Sequence, residues 1–278
     1  MRRRLLQCLL FLSLISFRLH GQQQFLFTHL GVREGLASNA VMSIQQDAKG
    51  YIWIATREGL ERYDGYRFLL YDHRANGGGS YLPNNTILQI QLDKSNRLWV
   101  LCEYNKVGYI DLSDLKYHEA AVIFSPDIVN RAAGHIYVDR AGNVMLFLSG
   151  NAVLTYDKNI KTFIPGNLPF PLPKGWIPVS LFQDSSSNYW LGSDSGLIKY
   201  CPARQTLSYR GHNEDKDPVI ENYESLTYVS FPYLDKSGRF WLHCWPPGGP
   251  PPLYFSLDVR SGRRSSWGAS IGRILHGQ

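Results

Sequence analysis

The pattern of apolar and polar positions repeats along the chain with a period near 46 residues. Short apolar runs such as YIWIAT, RLWVLC, NVMLFL, YWLGS and RFWLHC each follow an Asp-x-x-Gly or Asp-x-x-Asn-type turn. Such runs have strand length and strand composition, and the turns suit Asp, whose side chain bonds nearby backbone N–H groups, and Gly or Asn, which tolerate positive φ. A second turn and a third apolar run follow, as in REGLERYD. A fourth strand is placed between units, for example over Tyr66–Asp72, and a further short apolar run (AVMSIQQ, TILQIQL, GHIYV, PVSLFQ, LTYVSFPYL) precedes each leading aspartate. The units are predicted over 47–64, 93–111, 139–157, 184–200 and 235–258.

The leading aspartates are Asp47, Asp93, Asp139, Asp184 and Asp235, spaced 46, 46, 45 and 51 residues apart. Six residues after each stand Trp53, Trp99, Met145, Trp190 and Trp241, so four of the seven tryptophans share one phase. The even spacing assigns the aspartates to turns rather than to paired catalytic acids, and assigns the tryptophans to the core between sheets. About four strands at a period of 40–50 residues means propeller blades. The predicted fold is all-β: a β-propeller of four-stranded blades, about five present, from an incomplete seven-blade ring. A closed five-blade ring is the competing arrangement. Ile271 and Ile274 match Val41 and Ile44 in phase, which predicts a sixth unit interrupted by the end of the chain.

Composition agrees with this: 17 Tyr, 13 Phe, 25 Gly and 15 Pro suit short strands and turns rather than helices. Residues 1–21 read as a signal peptide, with Arg2, Arg3 and Arg4 before an apolar run from Leu5 to Phe17, and cleavage near Gly21. The run is too short to span a bilayer easily, which takes about 20 residues. Four arginines lie in this leader, so its removal takes the formal charge from +6 to +2 and removes any nucleic-acid signal. Cys102, Cys201 and Cys244 form no C-x-x-C pair and read as buried free thiols. The histidines are scattered, and adjacent His243 and Cys244 face opposite sides of a strand. No metal site, cofactor site or nucleophile motif is found; GSDSG at Gly192–Gly196 is the repeat's own turn.

Candidate binding residues come from the loop ten residues after each leading aspartate, which a propeller gathers on one rim: Arg57, Glu103, Ser149, Asp194 and Trp245. Polar groups there would bond sugar hydroxyls and an indole would stack on a ring face, or these loops are simply solvated. Trp176, in the Pro-rich PLPKGWIP, is either a stacking residue or packs under its loop. The run PPGGPPP at 246–252 reads as an insertion that accounts for the 51-residue spacing, and RANGGGS at 74–80 as a plain flexible loop.

The stretch IQQDAKGYIWIATREGLERYD, from Ile44 to Asp64, resembles the repeat of the two-component regulator propeller family, and EGLASNAV before it resembles that family's opening segment. The fourth unit matches through Trp190-Leu191-Gly192 and Gly196-Leu197. The second and fifth lose the Gly-Leu pair, and the third lacks the Trp. The resemblance implies the periplasmic sensor part of a hybrid histidine kinase that recognises oligosaccharides, with no catalysis in this chain. It also implies a homodimer in the full-length protein, whose membrane segment and kinase lie downstream. The alternatives are a propeller lyase or glycosidase, and a protein-binding scaffold.

Overall fold

The computed structural model describes residues 28–72, 82–124, 133–149, 152–245 and 253–267. The leader, RANGGGS, PPGGPPP, Ile271 and Ile274 lie outside them. The strands form five separate sheets. The first contains β1 (Val41–Gln46), β2 (Ile52–Thr56), β3 (Gly59–Tyr63) and β4 (Phe68–Tyr71). The second contains β5 (Ile87–Leu92), β6 (Arg97–Cys102), β7 (Val107–Asp111) and β8 (Lys116–Glu119). β9 (Ala121–Val122) then joins the outer edge of the third sheet, formed by β10 (Ala133–Val138), β11 (Val144–Leu148), β12 (Ala152–Asp157) and β13 (Thr162–Gly166). The fourth sheet contains β14 (Pro178–Gln183), β15 (Tyr189–Ser193), β16 (Gly196–Cys201), β17 (Thr206–Tyr209) and β18 (His212–Asn213). The fifth contains β19 (Val229–Leu234), β20 (Arg239–Cys244), β21 (Leu253–Asp258) and β22 (Arg264–Trp267). Each sheet is an antiparallel meander with neighbours in chain order, except that in the third β9 lies beyond β13 and pairs with it in parallel.

These are propeller blades. Inner strands pack in succession, β1 on β5, β5 on β10, β10 on β14 and β14 on β19. Each of the four interfaces is a buried apolar cluster holding the residue six beyond a leading aspartate: Trp53, Trp99, Met145 and Trp190 in turn. Comparable packing does not link β19 back to β1. Ile44 is 57% exposed, whereas Ile90 and Ile136 at the same phase are 0% and 1% exposed. At the other end Trp241 is only half-buried. Among the described residues, the first and last blades each keep a flank that every interior blade covers. Leu36 and the Glu61 carboxylate, which accepts the Ala37 N–H at 2.9 and 3.0 Å, shield part of the first flank.

The leading aspartate does more than make a turn. One carboxylate oxygen accepts backbone N–H groups two and four residues on, such as Lys49 and Tyr51 for Asp47. The other accepts the indole N–H at 2.8, 2.9, 2.9 and 2.8 Å in the first, second, fourth and fifth sheets. A buried Trp needs a partner for its N–H, and a buried carboxylate needs donors, so each satisfies the other. In the third sheet, where Met replaces Trp, Asn143 Nδ2 donates to Asp139 Oδ2 at 2.8 Å.

One sequence expectation is corrected. The 51-residue spacing does not come from PPGGPPP, which follows Asp235 and cannot lengthen the interval before it. It comes from the connector between the fourth and fifth sheets, which holds β18 and a helix, α1 (Pro218–Asn222). Asp217 caps α1 by accepting the Val219 N–H at 2.8 Å, with Pro at the first turn. Lys199 bonds Asp217 at 2.6 Å and lies 3.5 Å from Asp215, fastening the connector to β16. The three cysteines are buried and free, and burial pushes the Cys102 thiol up to about 12.

Removing an indole N–H should cost most where no second side chain is seen donating to its carboxylate. Arg97 also bonds Asp93 Oδ2, at 2.8 and 2.7 Å, whereas Trp53 is the side-chain donor to Asp47. Trp53→Phe should therefore lose about 1–3 kcal/mol of stability and Trp99→Phe measurably less, read from urea denaturation midpoints.

Candidate rim site

In the first, second and fourth blades the second and third strands are joined by a short hairpin, and the segments entering the next inner strands are bonded to the residues that follow the second strands. Thr86 Oγ1 donates to the Arg57 carbonyl at 3.4 Å, and the Glu103 N–H donates to the Thr86 carbonyl at 3.2 Å. Asn105 accepts the Ala133 N–H at 2.7 Å. Ile177 exchanges bonds with Asp194, donating to its carboxylate at 2.8 Å and accepting its N–H at 3.1 Å. Tyr228 then donates to the Asp194 carbonyl at 2.8 Å and accepts the Trp245 N–H at 3.3 Å. These bridges set the hairpins side by side on one rim: Arg57 next to Glu103, and Asp194 next to Trp245.

The five rim positions differ in exposure. Arg57 and Ser149 are exposed and Glu103 half-exposed. Asp194 commits a carboxylate oxygen to Ile177. Trp245 is 60% exposed. Trp176 packs under its loop: its ring meets Tyr209 edge-on at 5.3 Å, lies against the Gly196 turn and carries Arg210 over its face at 5.9 Å.

Trp245 belongs to an aromatic surface on the fifth blade that the sequence reading did not assemble. Its ring meets His243 edge-on at 6.3 Å, His243 lies 4.9 Å from Tyr254, and Phe231 sits between His243 at 6.3 Å and His135 of the third blade at 5.4 Å. Phe231 is 58% exposed and adopts φ +51°, a left-handed conformation that costs a bulky residue about 1–3 kcal/mol. It stands where Ser43, Gln89 and Ser180 stand in other blades. Ser43 and Gln89 donate to Ile90 and Ile136 of the next inner strand, and Ser180 accepts the Phe231 N–H at 2.8 Å. Phe231 thus replaces a linking polar side chain with a presented ring. Pro232 was the available signal: it cannot donate to a ladder and so calls for the bulge seen between Ser230 and Tyr233.

His243 and Cys244 do face opposite ways: Cys244 donates its thiol to the Thr227 carbonyl at 2.8 Å, and His243 Nδ1 meets Ser230 Oγ at 2.8 Å. Among the described residues no carboxylate bonds this imidazole, so the pair lacks the acid that orients a base in hydrolase triads. Among the described residues, too, no three His, Cys, Asp or Glu side chains cluster closely enough to hold a metal ion. Burial holds both His135 and His243 below their ordinary value of 6.5.

Residues 35–58 match the two component regulator propeller family. Over 60 residues the chain is 35% identical to histidine kinase P4 of Formosa agariphila, a stretch that is 21% of this chain and 4% of the kinase. The extracellular domain of a putative hybrid two component system from B. thetaiotaomicron superposes with a TM-score of 0.58 at 16% identity, over 86% of this chain and 36% of that one. The extracellular domain of a putative one component system from the same organism gives 0.59 at 16% identity, over 89% and 34%. These superpositions show the shared fold. The chain spans about a third of those structural relatives.

Both imidazoles being held neutral sets a pH dependence. Their folded values lie below the unfolded one, so their contribution is intact above about pH 6.5 and is lost as acid titrates them. The melting temperature should fall between pH 7.5 and 5, and His243→Gln should shrink that fall.

Proposed function

We propose that this chain, whose first blade is a two-component regulator propeller repeat, is the exported ligand-sensing part of a two-component signalling protein. It recognises an oligosaccharide on its hairpin rim and carries no catalysis of its own. The leader over 1–21 directs it to the periplasm and is cleaved near Gly21. Kinase chemistry resides elsewhere in the full-length protein, which acts as a homodimer.

The observation that carries this reading is the exposed Trp245 indole against His243, which in turn meets Phe231 and Tyr254. Exposed rings on a rigid scaffold suit the apolar faces of sugar rings, while Arg57 and Glu103 offer polar groups for hydroxyls along the same rim. A ligand long enough to touch two hairpins also touches the connector pinned between them, and so the inner strand it leads into. Binding that favours one arrangement of those strands over another shifts the population, which is what a signalling module requires. The extracellular domain of a hybrid two component system with the same fold supports the setting.

The purified chain should be melted against a panel of oligosaccharides. A binding sugar at about 100 times its Kd should stabilise the protein by about 2.7 kcal/mol, seen as a raised Tm. Trp245→Ala should remove most of that shift while leaving the unliganded Tm nearly unchanged, since the Tyr228 bond uses only the backbone. A folded protein indifferent to every sugar, or a shift that survives Trp245→Ala, would overturn the rim assignment.

A further inference from the structure

The third blade departs from the repeat twice at one place. Six residues beyond the leading aspartate it has Met145 instead of an indole. The residue paired with that position on the third strand is Thr155, where the first, second and fourth blades have Arg62, Tyr109 and Lys199. In those blades the long side chain lies against the indole: Arg62 at 5.8 Å, Tyr109 at 5.1 Å and Lys199 at 5.3 Å. Both the ring and the side chain that covers it are missing from the third blade, and a hollow of about 550 Å³ opens there. Met145, Thr155 and Ile164 line it, with Asp139 and Asn143 at one end and Asn167 at the other. A second hollow of about 510 Å³ shares Asn167 and Pro169 with it.

We propose that this slot binds a planar aromatic ring bearing an N–H donor, of the indole class. The chain itself supplies the template. In four blades the same position holds an indole whose N–H bonds the leading carboxylate at 2.8–2.9 Å. In the third, Asp139 Oδ2 takes one short bond from Asn143 and only a long 3.5 Å approach from the Tyr189 hydroxyl of the next blade. A carboxylate oxygen has capacity for a further donor. The thioether of Met145 gives a polarisable, adaptable floor for a ring, and Ile164 an aliphatic wall. The site is independent of the rim and of the sugar reading.

Indole titrated into the full chain and followed by ligand-observed NMR should bind saturably. Benzofuran, the isostere without the N–H, should bind about tenfold more weakly, the worth of one hydrogen bond to a charged acceptor. Met145→Trp fills the slot with the protein's own ring and should lower indole affinity by at least about tenfold. Thr155→Lys, which installs the fourth blade's residue, tests the same wall should the first variant not fold. The proposal is overturned by an absence of saturable indole binding, by benzofuran binding equally well, or by affinity unchanged in the folded variants.

Discussion

A buried carboxylate facing a buried indole holds this architecture together. Each group alone would be costly in an apolar interior: the carboxylate must keep donors, and the indole N–H must keep an acceptor. Together they tie the turn between the first two strands of a blade to the ring that packs against the next blade. The same aspartate closes the turn with its other oxygen, so one side chain couples local chain reversal to blade-to-blade packing. That coupling explains why Asp and Trp recur at a fixed distance of six residues rather than merely at a similar frequency.

The repeat was legible because it is written in phase. Turn residues, strand-length apolar runs and the Asp–Trp interval each point to the same unit, and five such units follow from the sequence alone. The indole–carboxylate bond was not read, since periodicity shows that two positions recur without showing that they touch. The short helix was missed although Asp217-Pro218 is a serviceable start signal, because a five-residue helix carries too little apolar periodicity to stand out. The spacing anomaly it causes was assigned to the more conspicuous proline run.

The rim was legible as a position and not as a chemistry. Counting ten residues past each aspartate finds Arg57, Glu103, Asp194 and Trp245, yet Asp194 turns out to be occupied with the backbone of Ile177. Trp176, noticed for its setting among prolines, is packed on Tyr209. Phe231 escaped because it reaches the aromatic surface through a bulge, and a bulge shifts side chains off the alternation that sequence reasoning relies on. Departures from the repeat, such as Phe231, Met145 and Thr155, are where individual blades acquire properties of their own.

The uncovered flanks of the first and last blades have a thermodynamic meaning. In a linear array of modules each interior unit is held from two sides and each terminal unit from one. Within the five described blades, opening therefore costs least at either flank and most in the middle. Among these blades, amide protons of β11 and β12 are expected to exchange last, and those of β1 and β19 through partial openings that leave the centre intact.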